Sequence, residues 1–330
     1  MRILSGDDVR TAVPVAAAVA AVADAFAQIA TGSAEVPLRI ALGQAGHDSH
    51  TFFMPALLSG GVDSRTALGM KVVSVFPHNA ARHQLPTIHA LIALFDPATG
   101  RALAVIDGRL LTALRTGAAS GAATQALARA DSRTLAIIGA GGQAPYQVLS
   151  VCAVRPIETI LIVNRSHDRA EQLRDRLVAE GVQAVIEIAD SAKAALARAD
   201  VVCCATSSPT PVFANGDVRP GTHINGVGSF TPSMAEVPAA TIARARVFVD
   251  QQAAAWAEAG DLIAAHAAGA LRKDQTTELG AVLAGRAPGR RNATEITFFK
   301  SVGNAVQDLA VGQITFDRAI ELGLGVEVTW

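Results

Sequence analysis

The stretch Leu135-Ala-Ile-Ile-Gly-Ala-Gly-Gly-Gln-Ala144 joins an apolar run to a glycine turn and then to helix-forming residues. It reads as strand, phosphate loop and helix. In the G-x-G-x-x-G/A pattern, Gly139 permits the tight turn, Gly141 lets backbone approach a pyrophosphate, and the small Ala144 lets helix pack on strand. The helix start offers unpaired N–H groups to an anion. A second apolar run, Thr159-Ile-Leu-Ile-Val163, follows after a helix-length gap and ends in Asn164-Arg165-Ser166, completing a β-α-β unit. Further apolar runs near 183 and at 199–206, 222–228 and 246–249 alternate with helical segments, so the fold class is α/β with a parallel, doubly wound Rossmann sheet.

On the N-terminal side of this unit the pattern is different. An Ala/Val-rich segment from Val13 to Ala30, with Pro14 near its start and Gly32 after its end, predicts one long opening helix. β-rich runs follow at 36–42, 51–56, 68–75, 87–95 and 102–106, separated by glycine, proline or polar turns such as Asp96-Pro-Ala-Thr-Gly100. They predict a meandering sheet domain. Small residues from Leu110 to Arg129 predict a helix bridging the domains, and 294–309 predicts a last strand running into a helix that returns to the first domain. The boundaries expected are 1–117 for a first, substrate-binding domain, 118–300 for the Rossmann domain and 301–330 for the returning segment.

Composition narrows the function. Hydrophobic residues make up 50% of the chain and charged ones 17%, which suggests surface hidden between subunits. A net charge of −1 with no Lys/Arg cluster argues against a nucleic-acid partner. Cys152, Cys203 and Cys204 sit in apolar stretches without metal-ligand or disulfide spacing, as buried thiols of a reducing compartment do, so cytoplasm is expected. Asp24 and Gln28 interrupt the apolar segment that would otherwise resemble a membrane span, and Met1-Arg-Ile-Leu-Ser lacks a signal peptide's apolar run.

A nicotinamide cofactor brings its own hydride, so the protein must hold an electrophilic carbon beside it and stabilise charge. Arg39, Lys71 and Arg115 are informative in that light. Arg39 and Lys71 interrupt strand-like runs, where period-2 alternation sets them on one face, and Arg115 lies among small residues close to the glycine loop. A solvated outer face remains the plain alternative for either strand cation.

Lys71-Val-Val, Leu85-Pro-Thr87, Asp96 to Gly100, Leu111-Thr-Ala-Leu-Arg-Thr-Gly-Ala-Ala, Ile138-Gly-Ala-Gly-Gly-Gln-Ala and Phe299-Lys-Ser-Val-Gly together resemble the ornithine cyclodeaminase/mu-crystallin family. The resemblance runs along nearly the whole chain, in the family's order. It implies a homodimer formed through N-terminal α+β domains that the C-terminal helix completes. It further implies that Arg39, Lys71 and Arg115 bind the substrate's α-carboxylate, with Lys71 near the reacting nitrogen. Thr87, Arg115, Gly142, Gln143, Thr206, Val227 and Ser301 match positions that contact the dinucleotide, and Val302 one that touches substrate.

Two departures bear on activity. Asn164-Arg165-Ser166 stands where an NAD enzyme carries an acid for the ribose 2′-hydroxyl, and an arginine there suits the 2′-phosphate of NADPH. Phe230 occupies the place of the cyclodeaminases' aspartate, and a phenyl ring has no proton to exchange. Gly228-Ser-Phe-Thr-Pro-Ser-Met-Ala-Glu236 resembles the corresponding stretch of the family's ketimine reductases. The expected reaction is therefore NAD(P)H-dependent reduction of Δ1-pyrroline-2-carboxylate to L-proline, with Δ1-piperideine-2-carboxylate to L-pipecolate as its six-membered counterpart. Alanine dehydrogenase, ornithine or lysine cyclodeaminase, and a non-catalytic NADPH-binding protein are the alternatives.

Overall fold

The computed structural model describes residues 1–44, 49–60 and 65–329, and the chain divides into two compact units, Met1–Arg115 with Asn304–Trp330, and Thr116–Gly303. In the first unit, β1 (Arg2–Leu4), β2 (Ala34–Glu35), β3 (Ile40–Gln44), β4 (Ser49–Ser59), β5 (Thr66–Val75), β6 (Ile88–Phe95) and β7 (Ala102–Asp107) form one sheet, which a final strand, Val326–Glu327, joins at the edge. From that edge the order runs β1-β7-β6-β5-β4-β2, with β3 also on β4; β1 and β7 are parallel and the other pairs antiparallel.

Alternation decides which side chains this sheet hides. Met54, Ala56 and Leu58 on β4 and Ala67, Gly69, Lys71 and Val73 on β5 are buried, at every second residue. The C-terminal helix, Ala305–Leu322, packs on β4, β5 and β6. Gly69 permits this approach, because a Cβ there would lie 2.3 Å from the Ala93 carbonyl oxygen and 3.0 Å from Leu309.

Two local expectations fail here. The opening is not one helix: β1 and a helix over Gly6–Ala12 come first, the helix started by a reciprocal capping box between Ser5 and Asp8, and only then does Val15–Thr31 follow Pro14. Nor do residues 36–42 form one strand. Pro37 removes a ladder donor, and the strand begins at Ile40, leaving Arg39 just outside it.

The second unit contains β8 (Thr134–Ile138), β9 (Thr159–Val163), β10 (Val185–Ile188), β11 (Val201–Cys204), β12 (His223–Gly226), β13 (Ala245–Val249), β14 (Thr276–Glu278) and β15 (Ile296–Lys300). All pairs are parallel, in the order β10-β9-β8-β11-β12-β15-β13-β14. Ile137, Ile160 and Leu173 belong to one core layer, and Ala136, Val202, Ile224 and Phe298 to another, as expected of strands buried on both faces. Chain order reverses between β8 and β11, the switch point where doubly wound sheets bind nucleotides. The Thr-Thr-Glu of β14 has no apolar run to announce it.

Candidate active site

In the first unit, Lys71 and Arg115 converge on one carboxylate. Lys71 Nζ lies 2.8 Å from Asp308 Oδ2, and Arg115 Nε donates to Asp308 Oδ1 at 3.0 Å. Lys71 reaches Asp308 from the buried face of β5, Arg115 from the helix Gly108–Leu127, and Asp308 from the C-terminal helix. Arg115 Nη1 also donates to Gln307 Oε1. Lys71 is 2% exposed and Asp308 0%, so the charges interact with little water between them. Burial and then the neighbouring Arg115 push the Lys71 ammonium down to about 8, against the pull of Asp308. Arg39 adds a weaker push in the same direction, and its guanidinium lies 4.8 Å from the centre of the Phe52 ring. With two buried cations on one carboxylate, the cluster has positive charge left over, as an anion site requires. A lysine that titrates near neutrality can also give up a proton.

The second unit presents the glycine loop. Gly139 has φ +103°, and a Cβ there would lie 2.6 Å from the Ala205 carbonyl oxygen, so the turn requires glycine. Its N–H donates to Val163 O, while Ala140 N–H donates to Asn164 Oδ1, tying the loop to the end of β9. Gly141 and Gly142 are exposed, with nothing within 4 Å of an added Cβ. Gln143 begins the helix Ala144–Cys152, and its Oε1 is buried without a hydrogen-bond partner among the described residues. An open backbone cradle at the start of a helix fits a dinucleotide phosphate.

Asn164 and Ser166, expected as direct cofactor contacts, have local duties. The Asn164 amide bridges Ala140 N–H and Ser166 O, and Ser166 Oγ accepts from Arg169 N–H at the next helix start. Arg165 beside them is exposed and forms no hydrogen bond or ion pair with the described residues.

Buried carboxylates organise the rim beyond β11, β12, β13 and β15. Glu236 accepts from Thr206 N–H and Oγ1 at 2.6 and 2.8 Å, and from Gly228 and Ser229 N–H at 2.7 and 3.0 Å. Burial pushes its carboxyl above the ordinary range, opposed chiefly by Lys300. Asp261 accepts from Glu236 and Val237 N–H and pairs with Lys300 Nζ at 2.8 Å. Asp250 Oδ2 accepts from Ser301 Oγ, Val302 N–H and Gly303 N–H. Val227 is buried and its N–H donates to Cys204 O; Phe230, half-buried, follows the Glu236-held amides. Val302, expected to touch substrate, packs its side chain into the core of the second unit, and Thr87 stands half-buried just before β6 in the first. The three cysteines are free; Cys203 and Cys204 are buried and Cys152 half-buried, and burial raises all three thiols.

Sequence reading did not single out Asp308 or Gln307, nor give Glu236, Asp250 and Asp261 a role. Asn304, Gln307 and Asp308 do leave a trace: an N-cap residue and two helix residues at i, i+3 and i+4 are the polar positions of an otherwise apolar stretch, 304–312, and mark one face with polar partners.

The family model for the ornithine cyclodeaminase/mu-crystallin family matches residues 2–323. A Delta(1)-pyrroline-2-carboxylate reductase of Bacillus cereus is 36% identical over 330 residues, covering 99% of both chains. The same enzyme type from Thermococcus litoralis, solved in complex with NADH and L-proline, superposes with a TM-score of 0.93 at 36% identity, covering 99% of this chain and 100% of that one. The iminosuccinate reductase of Paracoccus denitrificans, solved in complex with NAD+, gives a TM-score of 0.90 at 32% identity, covering 100% of this chain and 99% of that one. Matched along its length in both sequence and architecture, this chain is an oxidoreductase of the ornithine cyclodeaminase/mu-crystallin family.

Proposed function

We propose that the protein reduces a small cyclic ketimine with NADPH, taking Δ1-pyrroline-2-carboxylate to L-proline, and that the Lys71–Asp308–Arg115 cluster carries out the substrate's side of the reaction. The carrying observation is the cluster's composition: two buried cations share one carboxylate, and one of them is a lysine titrating at about 8. Arg115, Lys71 and Arg39 neutralise the substrate carboxylate. Lys71 Nζ gives a proton to the imine nitrogen while Asp308 holds the ammonium in place. Nicotinamide supplies, when bound, the hydride that the imine carbon accepts. Carbon and nitrogen each gain one hydrogen, the C=N double bond becomes single, and Lys71 is reprotonated from solvent.

Glycines 139, 141 and 142 with Gln143 would hold the pyrophosphate, with Thr206, Val227, Ser301 and Thr87 as further cofactor contacts. Arg165, exposed and without a partner among the described residues, supports NADPH over NADH. Phe230 and Val302 are assigned to the substrate pocket; Phe230 offers an apolar ring an apolar wall and gives a second, cationic amine no partner, which separates this reading from cyclodeamination. The exposed Leu38, Ile40, Leu42, Leu85, Ile88 and Leu91 of the first unit support a homodimer that covers them. Three free thiols fit a reducing cytoplasm.

The test is nicotinamide oxidation followed with Δ1-pyrroline-2-carboxylate, Δ1-piperideine-2-carboxylate and pyruvate plus ammonia, and ammonia release followed with ornithine and oxidised cofactor, since that conversion leaves the nicotinamide unchanged overall. Cyclic ketimines are expected to be turned over fastest, and with NADPH. Conversion of ornithine to proline with ammonia release would overturn the reading.

A further inference from the structure

Beside the cation cluster, three buried polar atoms are left unused. Gln307 Nε2, Asn304 Oδ1 and Asn304 Nδ2 have no hydrogen-bond partner among the described residues, although Gln307 is 0% and Asn304 4% exposed. A buried donor without an acceptor destabilises the fold that holds it. Such groups persist in native proteins where something else completes them.

The chemistry of each atom follows from its neighbours. An arginine only donates, so the Arg115 Nη1 bond requires the oxygen of the Gln307 amide and leaves Nε2, a donor, as the free end. Gln307 therefore offers an N–H next to an arginine assigned to a carboxylate. Asn304 lies three residues earlier, so the two amides share a face of the C-terminal helix with Asp308. Its side chain does not cap the helix, and both amide atoms are available.

From this geometry we infer that Gln307 and Asn304 form a neutral amide edge of the substrate site, Gln307 donating Nε2–H to the α-carboxylate and Asn304 accepting the N–H of the ring nitrogen. The inference rests on the reductase reading and deepens it. A neutral oxygen accepts the N–H of a protonated imine or a product amine without fixing a charge there. It gives a second ammonium group little to pair with. The edge thus selects for an imino acid bearing one carboxylate and one ring nitrogen, and it gives an acceptor to the nitrogen that Phe230 cannot serve.

Two substitutions separate this role from a structural one. Gln307→Glu keeps an oxygen acceptor for Arg115 and replaces the free donor by an anion; Asn304→Leu keeps the shape and removes both polar atoms. KM for Δ1-pyrroline-2-carboxylate and the Kd of pyrrole-2-carboxylate, a planar analogue that cannot be reduced, should each rise at least about tenfold in Gln307→Glu, as loss of a charge-assisted hydrogen bond implies. Asn304→Leu should raise the same KM and lower kcat. Kd for NADPH and the melting temperature should stay near wild type in both. Unchanged KM and analogue Kd in either folded variant, or equal losses in NADPH binding, would overturn the inference. If wild type rejects cyclic ketimines yet turns over pyruvate with ammonia, the substrate reading falls and the amide edge is judged by KM for pyruvate, which bears the same carboxylate. A wild type that binds no α-carboxylate compound removes both.

Discussion

Asp308 in the first unit and Glu236 in the second are both carboxylates at 0% exposure, and their surroundings are opposite in kind. Glu236 meets four donors from two loops, and each belongs to the backbone or a hydroxyl of its own unit. Asp308 meets two side-chain cations that outnumber it, and the nearby amides of Gln307 and Asn304 keep atoms with no partner among the described residues. A polar group whose valences are all filled by the protein serves the scaffold, since nothing remains to offer a ligand. An assembly with surplus charge and spare donors is finished only by something that arrives. The two regions should therefore fail differently when altered.

The largest effect is expected at Lys71. In the proposed reaction, replacing it by alanine leaves the substrate carboxylate short of a cation and the imine nitrogen without its donor, so kcat/KM should fall by the equivalent of about 2–5 kcal/mol. NADPH affinity should hardly change. Its titration gives a second signature. With the ammonium as the proposed proton donor, activity should decline as pH rises through about 8. Stability should move the other way: between about 8 and the unfolded value of 10.5 the unfolded chain binds more protons at this site than the folded one, so folding is favoured as pH rises. Lys71→Met should lack that rise. A wild-type activity profile flat through this range would remove Lys71 from the proton transfer.

Glu236→Gln is the matched change in the closed region. The new NH2 group faces amide or hydroxyl donors that it cannot accept from, at a cost of about 2–4 kcal/mol for the donors left unpaired. The expected result is a lower denaturation midpoint, with the pH dependence of the remaining activity unchanged. A midpoint equal to wild type would show that Glu236 does not hold its loops together.

Asp308→Asn tests the open region with the same chemistry. Without the anion, the buried Lys71 loses the partner that raises its pKa, so the decline in kcat/KM should begin at lower pH than in wild type. An unmoved limb would mean that Asp308 does not set the ammonium. A fall in midpoint as large as that for Glu236→Gln, with no shift of the limb, would erase the contrast between the regions.

What could be read from the chain in advance follows the range of the forces involved. Gly139, Gly141 and Ala144 announced the doubly wound sheet because their constraint is local. Strand alternation set Lys71 on one face of β5, but only the C-terminal helix, more than two hundred residues away in the chain, shows that this face is covered and that Asp308 lies opposite. Arg39 was assigned to a strand because Leu38-Arg-Ile-Ala-Leu looks like one, and Pro37 delays the pairing to Ile40. Glu236, Asp250 and Asp261 act by accepting backbone N–H groups. Every non-proline residue has such a donor, so their partners leave no trace in residue type.

The smallest effect, and the one at greatest distance from the contrast of buried carboxylates, concerns Arg165. It is exposed and has no partner among the described residues, whereas Asn164 and Ser166 on either side are committed to the loop and to the helix start. Discrimination between NADPH and NADH should therefore reside in the arginine, with the neighbours contributing through the shape of the turn. Arg165→Ala should reduce the ratio of kcat/KM for NADPH over NADH by about tenfold, as expected for a charge-assisted contact that water partly screens. The ketimine KM should not move, and the discrimination should shrink with added salt because the contact is exposed. Asn164→Ala should instead weaken both cofactors together, since it loosens Ala140 and the cradle proposed for the pyrophosphate common to them. An Arg165→Ala enzyme with undiminished preference, or an Asn164→Ala enzyme that loses NADPH alone, would move recognition of the 2′-phosphate to another residue.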